Sequence, residues 1–98
     1  MNEYIYVVRP TRLEMLTNGP TPDEERIVGQ HFEYLKVLHS ENVVVLAGRT
    51  QNEDESTFGI IIFKAQNDAA ANEIMQSDPA VRNNVLHAEL FPYRIAVM

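Results

Sequence analysis

Two segments of this chain, residues 43–47 and 58–63, are apolar at almost every position, with only Gly59 interrupting the second. Successive side chains of a strand point to opposite faces, so strands of this kind must be covered on both sides. Neither segment is long enough for a typical helix or a bilayer span. The polar, acidic stretch 51–56 between them reads as a turn, so strands 43–47 and 57–64 form a hairpin, with Gly48 marking a bulge or the end of the first. Whatever else the chain builds must enclose a sheet that is apolar on two sides.

The remaining residues supply two helices and two further strands. Thr21-Pro22-Asp23-Glu24 puts threonine at an N-cap, proline at the first helical position and glutamate three residues after the cap. Asp23, Glu24 and Glu25 also suit the positive end of a helix dipole. This helix runs to about Ser40 and ends at Asn42, with Ile27, Val28, Phe32, Leu35 and Leu38 spaced by threes and fours. A second helix, capped by Asn67 or Asp68, runs through Gln76 with Ala70, Ala71, Ile74 and Met75 facing inward. Residues 3–9 form an opening strand that ends at Pro10, and residues 85–91 open the last strand, where Pro92 favours an edge or a bulge. Residues 10–21, punctuated by Pro10 and Asn18-Gly19-Pro20, make a loop long enough to cover a pocket. Asp78-Pro79 begins a short turn or helix.

The order βαββαβ is the ferredoxin-like α+β pattern, a single domain over residues 1–98. It implies a four-stranded antiparallel sheet with both helices on one face. Two helices leave the other apolar face bare, and an identical sheet is the simplest cover, so a homodimer packed sheet to sheet is expected. A domain of 98 residues buries only about two thirds of its unfolded surface, and a partner subunit adds to that.

Composition narrows the chemistry. Without cysteine there are no disulfides, no thiolate catalysis and no cysteine metal sites. A net charge of −6 with scattered basic residues disfavours nucleic acid and anionic membranes as partners. Met1-Asn2-Glu3-Tyr4 lacks the basic segment and apolar core of a signal peptide, so a cytoplasmic location is expected. The four glycines are dispersed, with no phosphate-binding or dinucleotide-binding loop, and no serine lies in a nucleophile elbow. No cofactor is expected. The histidines have no partners at metal-ligand spacing, and no metal site is expected either.

His31 is the first candidate for chemistry. It lies four residues after Ile27 and four before Leu35, on the apolar stripe of the first helix. A histidine there is either a core residue bonded to a carbonyl or carboxylate, or a general acid or base. Asp78, before Pro79, reads as an N-cap for one helical turn, and a carboxylate can also orient a histidine. The two roles are compatible, since a cap needs one oxygen. Arg9 and Arg49 each end a strand at a loop, where arginines hold small anions or lie solvated. Tyr34 and Tyr6 are able to donate hydrogen bonds inside a pocket or simply edge a core.

Taken in order, Gln30-His31-Phe32-Glu33-Tyr34-Leu35, Val44-Val45-Leu46-Ala47-Gly48, Ser77-Asp78-Pro79 and Phe91-Pro92-Tyr93 resemble the YCII-related family over about residues 21–93. The resemblance implies a dimeric α+β barrel and puts that family's His–Asp pair on His31 and Asp78. It differs at Arg49, where a proline or small residue is more usual, and at Phe32, where leucine is. The wider superfamily includes muconolactone isomerases, a chloromuconolactone dehalogenase and small cofactor-free monooxygenases.

Two readings of function follow. The first is a cofactor-independent enzyme, isomerase-, lyase- or dehalogenase-like, acting on a small organic acid or lactone. His31 then moves a proton beside a carbonyl, Asp78 orients it, and Arg9, Tyr34 or Arg49 holds the substrate. The second is a non-catalytic dimeric module that binds a small metabolite in the same pocket; an oxygen-using monooxygenase is a weaker third. The surroundings of His31 discriminate. An enzyme opens it to a cleft beside a carboxylate, whereas a structural histidine is sealed by Phe32, Leu35 and the sheet.

Overall fold

The computed structural model describes residues 1–98. Four strands and four helices follow in the order β1 (Asn2–Pro10), α1 (Glu14–Thr17), α2 (Pro22–Ser40), β2 (Val44–Arg49), β3 (Gly59–Ala65), α3 (Asp68–Gln76), α4 (Pro79–Arg82) and β4 (Leu86–Tyr93). The sheet order is β2-β3-β1-β4, with every neighbouring pair antiparallel. This is the ferredoxin-like α+β arrangement expected from the chain order. The 10–21 segment is not wholly loop, since Glu14–Thr17 closes one helical turn. The bulge in β2 lies between Val44 and Leu46 rather than at Gly48, which pairs with Ile60 inside the ladder. Pro92 sits in β4, an edge strand of the sheet, paired with Tyr4 of β1.

Register explains the two-faced strands. Ala47, Ile61, Tyr6 and Leu90 lie side by side across the four strands on the helix side, with Val44, Phe63, Tyr4 and Pro92 one row along. Tyr4, Tyr6, Val8, Ile61 and Phe63 form the core there with Leu35 of α2 and Ala71 and Met75 of α3. On the opposite face, Leu46, Ile62, Ile5 and Phe91 make a continuous apolar row, and Leu46 and Phe91 are exposed. No helix covers that row.

The start of α2 is held as its sequence demands. The Thr21 hydroxyl accepts from the Glu24 N–H at 3.1 Å, and Glu24 Oε1 accepts from the Thr21 N–H at 2.8 Å. Arg12 joins this box from the preceding loop, donating through Nε at 2.9 Å and Nη2 at 2.6 Å to the two Glu24 oxygens. The fork ties the 10–21 segment to α2. From this start, Ile27, His31 and Leu35 become the buried stripe of α2. The helix stops at Ser40, and Asn42 turns the chain in the left-handed region at φ 62°.

Arg12 above all, and the Thr21 N–H after it, pull the Glu24 carboxyl down to about 2 from its ordinary 4.5. A group whose folded value is lowered contributes stability that is complete above the unfolded value and is lost as pH falls through the folded one. Between pH 4.5 and 2, urea midpoints should therefore fall more for the native protein than for Glu24→Gln. Parallel curves for the two proteins would rule out this contribution.

Candidate functional site

The stripe that buries Ile27 and Leu35 also turns His31 toward the sheet, where it is 7% exposed. Asp78 reaches it from the start of α4, which packs against α2. As the N-cap of α4, Asp78 accepts the Ala80 N–H on Oδ1 at 3.0 Å, and its side chain is completely buried. Both carboxylate oxygens lie near His31 Nδ1, at 2.8 and 2.7 Å. A third donor comes from β1, where the Tyr6 hydroxyl donates to Oδ2 at 2.7 Å. Burial pushes the Tyr6 phenol far above its ordinary value, and the Asp78 charge and hydrogen bond push it further. Tyr6 therefore remains an O–H donor.

These contacts dictate the form of the imidazole. A carboxylate is an acceptor only, so Nδ1 must carry the proton it shares with Asp78, and the neutral ring then has its lone pair on Nε2. No hydrogen bond engages Nε2, and no buried side-chain polar atom lacks a partner, so Nε2 reaches open space. That space is a cleft of about 850 Å³ between α2 and the β2–β3 hairpin, lined by His31 with Val8, Leu35, Val44 and Ile61. Its size is that of a small-molecule site. Phe32 also lines the cleft: its ring packs 5.4 Å from the imidazole, and the residue is 53% exposed.

The cleft exists because α2 leaves β2 partly bare. Ala47 shares the helix-side row with Ile61 and Tyr6, yet it is exposed. Met15, Leu16 and Pro20 line the cleft from the 10–21 segment, the pocket-covering position expected of that loop. Polar groups at its walls are Glu25, Lys36 and His39 of α2, Arg49 of β2, and Thr57 ahead of β3.

The expected site residues separate into two groups. His31 and Asp78, 47 positions apart in the chain, are in contact, and Arg49 lines the same cleft. Arg9 is elsewhere: it lies on the uncovered face of the sheet, 3.6 Å from Glu89 and over the Phe58 ring. Strand alternation puts it there, since Val8 beside it takes the helix side. Tyr34 is also outside the cleft. Its hydroxyl donates to the Ile74 carbonyl at 2.6 Å, and burial, with Asp78 nearby, raises it to about 12. The tyrosine that serves Asp78 is Tyr6, whose alternation with Val8 on the core face was the available signal. Thr57 and His39 carried none, because only the packing of α2 against the hairpin brings them to one space.

The YCII-related domain family matches residues 7–94. The chain belongs to the YCII-related family. The matched span contains His31, Asp78 and the whole cleft lining. Among solved structures it is similar to 5-chloro-2-hydroxyhydroquinone dehydrochlorinase from Burkholderia phenoliruptrix, in complex with 2,5-dihydroxybenzoquinone. That likeness has a TM-score of 0.64 at 14% identity and covers 93% of each chain. It is also similar to an uncharacterized protein from Thermotoga maritima, with a TM-score of 0.57 at 14% identity, covering 94% of this chain and 95% of that one. At such identities the likeness is one of fold. No curated protein matches the chain in sequence. No helix is long and apolar enough to cross a membrane.

Removing the Asp78 carboxylate leaves the Ala80 N–H, the Tyr6 hydroxyl and His31 Nδ1 facing a void. Each buried donor left unsatisfied costs about 1–3 kcal/mol, so Asp78→Ala should cost at least about 2 kcal/mol. Denaturant unfolding measures it, and a loss below about 1 kcal/mol would mean that water replaces the carboxylate.

Proposed function

We propose that this YCII-related protein is an enzyme that moves a proton on a small oxygenated ring compound, organic acid or lactone, using side chains alone. The observation that carries the reading is the cleft-facing Nε2 of a histidine whose Nδ1 is held by a buried carboxylate. Nε2 accepts a proton from a carbon beside a carbonyl, and the C–H electron pair passes into the enolate. Imidazolium then returns the proton at a second position, giving isomerisation, or the enolate expels a leaving group with its electron pair, giving elimination. Asp78 stabilises the imidazolium in either case. Arg49, which has no carboxylate partner, is the cleft's candidate for holding a substrate anion. Lys36, by contrast, is paired with Glu33 at 3.2 Å.

The dehydrochlorinase of similar fold is named for an elimination on an oxygenated ring and was solved with a dihydroxybenzoquinone. That supports both the reaction type and the size of substrate. The apolar walls of the cleft suit a ring, and the few polar groups suit its oxygens.

The test starts with hydroxyquinols, muconolactone-type lactones and small unsaturated acids in deuterated water, followed by NMR for deuterium uptake or loss of a substituent. A positioned general base contributes on the order of 10²–10⁴-fold, and His31→Ala should lower turnover by that factor. Full turnover in that variant would remove His31 from the mechanism. Saturable binding of such compounds with no exchange or turnover would instead favour the non-catalytic binding module.

In the same reading, two copies pack through the uncovered face, closing the α+β barrel. The row Leu46, Ile62, Ile5 and Phe91 spans all four strands and supplies the apolar centre of that contact. Light scattering should give twice the chain mass of 11.2 kDa. The double substitution Leu46→Asp and Phe91→Asp, at two side chains exposed in the single chain, should give the monomer mass with the fold retained. A wild-type protein that stays monomeric at micromolar concentration would defeat the assembly.

A further inference from the structure

Behind the cleft lies a phenol that touches none of its space. Tyr6 is fully buried, does not line the cleft, and commits its hydroxyl to Asp78 Oδ2. The chain carries an internal comparison for it. Tyr4, on the same face of β1, donates at 2.8 Å to Asp68, a carboxylate that holds no histidine. Both tyrosine rings pack on Phe63, with centroids 5.9 and 5.6 Å away. Both phenols donate to a carboxylate and pack on one ring, but Asp68 is exposed where Asp78 is fully buried, and only the Tyr6 bond leads to His31.

The consequence follows from counting donors on Asp78. Oδ1 has the Ala80 N–H, Oδ2 has Tyr6, and the two oxygens share His31 Nδ1. Without the Tyr6 hydroxyl, Oδ2 has no donor besides Nδ1. Tyr34 cannot substitute, because its hydroxyl is bound to the Ile74 carbonyl. A carboxyl short of donors in a dry core lowers its cost by taking up a proton. That proton comes from solvent: the carboxyl O–H donates to Nδ1, the ring's own proton sits on Nε2, and the lone pair leaves the cleft. We propose that Tyr6 is a positioning residue that keeps Asp78 an acceptor and thereby holds His31 in the Nδ1–H form with Nε2 free.

The kinetic part of the test rests on the catalytic reading above, but the spectroscopic part does not. Protein labelled with ¹⁵N is compared by long-range ¹H–¹⁵N NMR across about pH 5 to 8, which separates the imidazolium and both neutral tautomers and spans the range in which an Nε2–H ring beside a protonated Asp78 keeps its extra proton. Wild type should show His31 as Nδ1–H. Asp78→Asn, whose amide is able to donate to Nδ1, supplies the reference signal for the Nε2–H form. Tyr6→Phe keeps the ring and its packing, and should populate that second form. Tyr4→Phe should keep the wild-type tautomer. With any compound the enzyme turns over, Tyr6→Phe should lower kcat about 10- to 100-fold, the scale of loss when an outer partner of a metal-bound histidine is removed. KM should stay unchanged, since Tyr6 meets no substrate.

An Nε2–H ring in the wild-type protein would overturn the proposal without any variant. So would a wild-type tautomer in Tyr6→Phe, or an equal shift in Tyr4→Phe. If no compound is turned over, the tautomer shift still supports the positioning role, and it is the catalytic reading that falls.

Discussion

The Asp78 carboxylate has no exposure at all, and no lysine or arginine pairs with it. A buried charge in that position is costly unless donors fill its lone pairs. Three elements meet to supply them: α4 gives a backbone N–H, β1 gives a phenol and α2 gives an imidazole. The carboxylate thus knots a short helix, the sheet and the long helix at one point. The same knot gives His31 its polarity, with a donor nitrogen facing the core and an acceptor nitrogen facing the cleft.

The cleft depends on a second constraint, the mismatch between sheet and helices. Apolar side chains stand on both faces of four strands, but the helices lie on one face and leave β2 partly bare even there. On the helix side the gap becomes a cleft lined in part by residues of the 10–21 segment. That segment is fixed by the fork from Arg12 to Glu24, which joins it to the capping box of α2. The first turn of α2 thus sets both the start of the stripe bearing His31 and the position of the cleft's cover.

Much of this was legible in residue order because it depends on local rules. Thr21 and Glu24 specify a helix start whatever lies around them, and the spacing from Ile27 to Leu35 puts His31 on the inner side. Asp78 before Pro79 specifies a cap by the same kind of short-range geometry. Arg9, Tyr34 and the bulge at Val45 were less legible. The face of Arg9 follows from which side of β1 meets the helices, and the partner of Tyr34 from how α3 lies against α2. The bulge shifts register within β2 by an amount that no local run of valines encodes.

His31 shows where the division falls. The sequence by itself determined that this histidine lies on the buried stripe of a capped helix and that Asp78 caps a later turn, because helix period and cap geometry act over three or four residues. Only the tertiary structure decided that the two meet across 47 positions, that Tyr6 completes the contact and that Nε2 opens to a cleft. Those outcomes depend on how α2 and α4 settle against a twisted sheet. That settling is fixed by the shapes of side chains distant in the chain, and no local pattern records it.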